Sequence, residues 1–290
     1  NVLVDESTRK YMEAFPKLCD MITNIVVVLP VPENYNAKQR SRVIKTTVRN
    51  VIDGAYLFID TDTVICKPLD DIDNLTCDMA AVPDGHLPLS ECMFPPTNSV
   101  NKIFKTDVSD SKYWFNSGVM FVADNEQTRK FYKRWNENWT YSCFEKGQSQ
   151  DQPALLATDK EFGYIISELP GIYNSQVAMS LKYFADAAIV HWWHMSFIEN
   201  QDYSPFFSLQ IYKDVKTAKG LTADIKELIK HCKQSFVSPT MPVGKEHIYF
   251  LFSPAGKIFN RIYKEGGAAS FLMNKCAAVL EKIHKYTKKK

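Results

Sequence analysis

Ala55-Tyr56-Leu57-Phe58-Ile59-Asp60-Thr61-Asp62-Thr63 is the stretch on which the reading of the chain turns. Five apolar or aromatic residues run directly into two aspartates one residue apart, and the breaker Asp53-Gly54 precedes them. The run is short and rich in β-forming residues, which reads as a buried parallel strand. Strands of α/β sheets release ligand-binding residues at their carboxyl ends. Asp60 and Asp62 are therefore expected at the functional rim of a sheet. Two carboxylates this close repel each other unless a cation lies between them. Hard oxygen ligands suit Mg²⁺ or Mn²⁺, which in turn hold substrate phosphates. The plain alternative is a strand that ends in a polar turn, where Asp is common, so residues elsewhere must decide.

Composition narrows the choice. A chain of 290 residues is one large domain or two small ones. Its 45% hydrophobic and 23% charged residues are those of an ordinary soluble globule. A net charge of +2 is too small for a nucleic-acid protein as a whole. No stretch approaches the length of a transmembrane helix, and no signal peptide is visible. The seven cysteines (Cys19, Cys66, Cys77, Cys92, Cys143, Cys232, Cys276) are scattered, odd in number and without zinc spacing. That usage points to a reduced, cytosolic compartment. The chain opens with the strand-like Val2-Leu3-Val4. An α/β nucleotide-binding domain normally carries a βα unit ahead of this point, so the sequence is expected to start inside the domain.

Upstream of the central stretch, a helix is expected from Ser7 to about Met21 and a strand from Ile25 to Leu29. Asn36 caps a further helix running to about Ile52, with Ile44, Val48, Val51 and Ile52 as its apolar stripe. Arg42, Lys45 and Arg49 fall on the other face, either as a solvated basic face or as phosphate partners. Downstream, Met79–Val82 reads as a strand and 84–112 as a long Pro-, Ser- and Asn-rich loop. Asn116 and Ser117 form a polar corner before the apolar strand Val119–Val122, and Gly118 allows close backbone approach. Asp124 and Gln127 resemble a capping box, and the helix they open carries Phe131, Trp135 and Trp139 as a core stripe. Asp151 and Gln152 sit before Pro153 at a helix N-terminus, where a carboxylate is favoured. Ala187–His191 is a last short strand ending in histidine.

In this order the pieces resemble glycosyltransferase family 8 and its bacterial relatives. Ser41-Arg42-Val43-Ile44-Lys45 is similar to the family's arginine-bearing helix. Phe58-Ile59-Asp60-Thr61-Asp62-Thr63 is similar to its D-x-D strand, and Phe115-Asn116-Ser117-Gly118-Val119-Met120 to its Asn-small-Gly-Val segment. Gln150-Asp151-Gln152 resembles its sugar-site motif, and His191 lies where the family has a metal-binding histidine. The resemblance covers roughly residues 1–195. After His191 the run Trp192-Trp193-His194-Met195-Ser196-Phe197 departs from the family's Gly-x-x-Lys-Pro-Trp tail, and Pro153 replaces a family acid.

The resemblance implies an α/β, GT-A fold: a mixed, mostly parallel central sheet with flanking helices. The catalytic domain is expected over 1–200 and a helical, basic region over 201–290. The implied activity is sugar transfer from a nucleotide-diphosphate donor, a UDP-sugar, to a glycan or lipid-linked acceptor, with retention of configuration. Asp60, Asp62 and His191 would bind Mn²⁺ or Mg²⁺. Arg42, Lys45, Thr61, Asn116 and Ser117 would bind the donor, and Asp151 and Gln152 would be catalytic. Two rivals stand beside it. D-x-D-x-T after an apolar strand also fits a haloacid-dehalogenase-like phosphatase, and a sugar-nucleotide fold can be non-catalytic. Residues 257–290 hold nine Lys or Arg against two Glu. That polarity suits either a solvated tail or peripheral contact with the inner membrane face of a cytoplasmic protein.

Overall fold

The computed structural model describes residues 1–27, 30–92, 97–177, 179–192, 209–233, 253–256, 258 and 267–287. Two compact units divide the chain: Asn1–Phe197 with Ser204–Val237, and Ile198–Tyr203 with Ser238–Lys290. In the first unit, strands β1 (Val2–Val4) and β2 (Ile25–Val27) pair in parallel. Between them the single predicted helix is two: α1 (Glu6–Met12), capped by Asp5, and α2 (Pro16–Cys19). Pro16 lacks the amide a continuing helix needs and opens the second one.

The main sheet runs β3 (Tyr56–Ile59), β6 (Phe115–Val122), β5 (Met79–Pro83), β7 (Ile166–Glu168). The sheet is mixed, as expected for the GT-A fold, but β3 is not the buried parallel strand read from sequence. Its hydrogen-bonded neighbour β6 is antiparallel, and its residues are only half-buried. Among the described strands, parallel and antiparallel pairings are three each. The central strand is β6, buried at every residue between β3 and β5. A smaller sheet holds β4 (Thr63–Ile65), β9 (Ile189–His191) and β8 (Ser175–Gln176). The chain therefore crosses from one sheet to the other at Asp60-Thr61-Asp62.

Strand periodicity sorts the core. Met79, Ala81, Met120 and Val122 face helix α5 (Glu126–Lys146), meeting Phe131, Tyr132, Trp135 and Trp139. Ala80, Val82 and Phe121 face the opposite side, against Ile72, Leu169, Tyr173 and Ala188. The core stripe of α5 is as read from sequence, but its cap is one residue later: Asn125 with Thr128 forms the capping box, not Asp124 with Gln127. Asp124 instead accepts from the Gly54 amide and pairs with Arg129. Gly147, at φ 70°, closes the helix in the left-handed region.

The stretch 84–112 is not a structureless loop. Helix α4 (Thr97–Phe104) lies within it, and Val100 pins it to a cluster with Leu89, Val108, Trp114 and Leu156. Helix α3 (Ala37–Thr47) begins with the Asn36–Gln39 capping box and tightens into a 3₁₀ turn over Val48–Asn50. Its cations do not form a solvated face. Lys45 and Arg49 are buried. Arg49 donates to the carbonyls of Gly54 and Ile52, so it clamps the turn before β3 instead of reaching a ligand.

Helices α6 (Gln152–Glu161), α7 (Leu209–Ala218) and α8 (Ala223–Lys230) complete the first unit. Helix α9 (Gly267–Thr287) belongs to the second. Trp135 is fully buried, and its indole N–H donates to the Asp151 carbonyl at 3.2 Å. Trp135→Ala should therefore cost about 3–5 kcal/mol of stability, measured by denaturant unfolding. A loss below about 1 kcal/mol would show that this core is not assembled as described.

Candidate active site

The crossing between the two sheets builds the site. The Asp60 amide donates to the Gly118 carbonyl at 2.7 Å, and the Trp192 amide donates to the Asp62 carbonyl at 2.8 Å. Thr63 lies opposite His191 in the antiparallel β4–β9 ladder. Asp60 and Asp62 thereby converge with His191, which is far from them in sequence. Each offers one ligand atom, and these atoms lie within 4.8 Å of one another.

A chain of hydrogen bonds fixes the imidazole. The Gly118 amide can only donate, and it donates to Asn116 Oδ1 at 2.9 Å. The other arm of Asn116, Nδ2, donates to Asp84 Oδ1 at 2.8 Å. Asn174 Nδ2 donates to the same Asn116 oxygen at 3.0 Å, which leaves Asn174 Oδ1 facing His191 Nδ1 at 2.9 Å. Nδ1 therefore carries the proton. Nε2 is buried, lies 3.2 Å from Asp62 Oδ1 and makes no well-formed hydrogen bond. A histidine whose Nδ1–H is held by a neighbour and whose Nε2 faces carboxylates has the form of a metal ligand. With two carboxylates beside it, the donor set fits a divalent cation.

The cationic side of the site is also built in. Lys45 is buried, and its Nζ lies 2.7 Å from Asp60 Oδ2, 3.8 Å from Asp151 Oδ2 and 5.2 Å from the Phe58 ring centre. It also donates to the Ser117 carbonyl and hydroxyl. Arg42 pairs with Asp151 at 2.7 Å. Asp151 stands where a helix cap is expected, yet its side chain caps nothing in α6. It accepts instead from the Ser117 hydroxyl at 2.7 Å. Burial raises the Asp151 carboxyl, but Lys45, Arg42 and the Ser117 bond outweigh it and hold it below the ordinary range.

Gln152 donates to Asp84 Oδ1 at 3.2 Å and to the Phe115 carbonyl at 3.3 Å. Asp84 was not singled out from sequence, although it follows the carboxyl end of β5, where ligand-binding residues belong. Burial pushes its carboxyl up against the opposing bonds from Asn116 and Gln152. Asn174, also missed, gave no local signal. Thr61 is exposed and helps line a cleft of about 690 Å³, together with residues of β1 and β3 and with Asp5, Arg40, Ile44 and Lys45. The sequence departure from Trp193 to Phe197 lies outside the described residues.

The mixed α/β sheet and the acidic group at its crossing are those expected of a GT-A fold. More particularly, residues 55–196 match Glycosyl transferase family 8. No curated protein is significantly similar to the chain in sequence. Among solved structures, the glycosyltransferase GlyE of Streptococcus pneumoniae TIGR4 is 16% identical with a TM-score of 0.43. That likeness covers 81% of this chain and 56% of GlyE. Galactosyltransferase LgtC, solved with donor and acceptor sugar analogues, is 12% identical with a TM-score of 0.44, covering 78% of this chain and 98% of LgtC. Mouse xyloside xylosyltransferase 1 in its apo form is 12% identical with a TM-score of 0.41, covering 66% and 82%.

Gly118 tests the geometry. A Cβ there would lie 2.3 Å from His191 Cε1 and 2.9 Å from Asn116 Oδ1. Gly118→Ala should displace the imidazole and destabilise the protein by about 1–3 kcal/mol. Unchanged His191 ring resonances in NMR spectra and unchanged stability would show that the ring does not pack on this backbone.

Proposed function

We propose that the protein transfers a glycosyl group from a nucleoside diphosphate sugar, a UDP-sugar in particular, to a glycan or lipid-linked acceptor, with Mn²⁺ or Mg²⁺ and with retention of anomeric configuration. The observation that carries this reading is the convergence of Asp60, Asp62 and His191 beside Lys45, opposite a polar wall of Asn116, Asp151, Gln152 and Asp84. Asp60, Asp62 and His191 would hold the cation. When bound, a divalent cation supplies Lewis-acid charge to a diphosphate leaving group. Lys45 and Arg42 add fixed positive charge at the same rim, and Thr61 and Ser117 offer hydroxyls to the donor.

Asn116, Asp151 and Gln152 would orient the hydroxyls of the donor sugar, with Asp84 orienting both amides. An inverting enzyme needs a general base. Asp151 is a weak one, because two cations and a hydroxyl stabilise its ionised form. That supports retention. The phosphatase alternative finds less support, since Asp60 and Asp62 are joined by a histidine, not by a second acidic pair.

In a thermal-shift assay, UDP-sugars should raise Tm only with Mn²⁺ or Mg²⁺ present. Asp62→Ala should weaken metal-dependent binding at least tenfold, about 1.4 kcal/mol, with little loss of fold, because Asp62 is partly exposed and, among the described residues, ion-pairs with His191 alone. Binding that ignores the metal in both proteins would reject the site.

A peripheral membrane location is the second part of the proposal. Among the described residues no helix is long and apolar enough to cross a membrane. Helix α9 exposes Phe271, Leu272, Val279 and Leu280 in a segment with a large basic excess. Near an anionic leaflet each basic residue contributes about 1 kcal/mol, less as salt rises. Sedimentation with phosphatidylserine vesicles should show binding at low salt that weakens when residues 285–290 are removed. No binding at low salt would leave the basic end as a solubilising tail.

A further inference from the structure

Two of the seven scattered cysteines meet. Cys66 follows β4, and its amide donates to the Ala188 carbonyl at 2.7 Å. Cys232 lies two residues beyond α8 and is buried. They are 166 residues apart in sequence, yet their sulfurs are 3.2 Å apart. The ends that bring them together are fastened independently. Lys233 donates to the carbonyls of Ala185 and Ala187, and Lys67 donates to the carbonyl of Asp186. Cys66 is partly exposed, so a small reagent can reach it, whereas Cys232 is buried.

We propose that Cys66 and Cys232 form a reversible disulfide, with a small-molecule disulfide such as glutathione disulfide as the oxidant. The Cys66 thiolate attacks one sulfur of the oxidant, forming a mixed disulfide and releasing one glutathione thiolate. Cys232 then loses its proton and attacks Cys66 Sγ, which expels the second glutathione thiolate. Two cysteine thiols are oxidised, one glutathione disulfide is reduced to two thiols, and the two protons end on the released thiolates.

The surroundings suit these roles. The contact with Cys232, together with the Lys233 and Lys67 charges, pulls the Cys66 thiol down to about 7 against the opposing effect of burial, while the same contact pushes the Cys232 thiol up. Cys66 is thus the attacking thiolate and Cys232 the resolving one. A disulfide requires the sulfurs to close to about 2.05 Å, a small shift from their present separation. The bond would tie α7 and α8 to the strand that leaves Asp62. A crosslink closing so long a loop restricts the unfolded chain strongly.

The test incubates the full chain with glutathione disulfide, blocks remaining thiols with N-ethylmaleimide, and maps proteolytic peptides by mass spectrometry with and without dithiothreitol. Cys276, on an exposed helix, is the internal control. The proposal expects a Cys66–Cys232 peptide as the main linked product, lost on reduction. Tm should rise by roughly 5 °C or more in the oxidised protein but not in Cys66→Ser. If Cys66→Ser does not fold, Cys232→Ser takes its place, and there Cys66 should retain a glutathione adduct. Stable glutathione on Cys66 of the unaltered protein, scrambled linkages, or modification of Cys276 while Cys66 and Cys232 stay reduced would each overturn it.

Discussion

The buried ammonium of Lys45 holds the site together. Four groups from three places in the sequence converge on it: Asp60 at the end of β3, Asp151 ahead of α6, and the hydroxyl and carbonyl of Ser117 on β6. A buried charge is tolerated only when it is paired and hydrogen-bonded. Lys45 meets both conditions only if α3, β3, β6 and the start of α6 all arrive together. Removing one partner of such a pair costs about 3–5 kcal/mol, because the other charge stays buried. The same pairing sets the chemistry. Lys45 and Arg42 hold Asp151 ionised, and Lys45 offsets Asp60 beside Asp62.

The second constraint is steric. The β5–β6 pairing slips between Ala81 and Val82, passing from Met120 to Asn116 on β6. Ser117, Gly118 and Val119 fall out of register with β5 alone, and the Ser117 hydroxyl meets Lys45 and Asp151. Gly118 then lies bare against the His191 ring. A polar chain from Asp84 through Asn116 and Asn174 to His191 sets which imidazole nitrogen faces the carboxylates. The site is therefore assembled by one irregularity in an otherwise regular, fully buried strand.

Much of this was legible in the sequence because it depends on local chemistry. The apolar run into Asp60-Thr61-Asp62, the α5 aromatic stripe, the Asn36 cap and the strand ending in His191 all follow from spacing and residue type. What went unread depends on partners distant in sequence. Arg49 has the spacing of a phosphate-binding cation and becomes a clamp on the carbonyls of Ile52 and Gly54. Asp151 has the position of a helix cap and serves an ion network instead. A charged residue's role follows from what it is buried against, and the sequence does not print that.

The sequence by itself determined the class of the fold, the order of its motifs and the residues that carry charge to the rim. Hydrophobic periodicity and local propensity act within a few residues, so they can be read along the chain. Only the tertiary structure decided that β3 pairs antiparallel with β6, that Asp84 and Asn174 belong to the site, and that Cys66 meets Cys232. Each of these depends on pairing or packing between segments tens to hundreds of residues apart, where register and burial arise from the whole core at once.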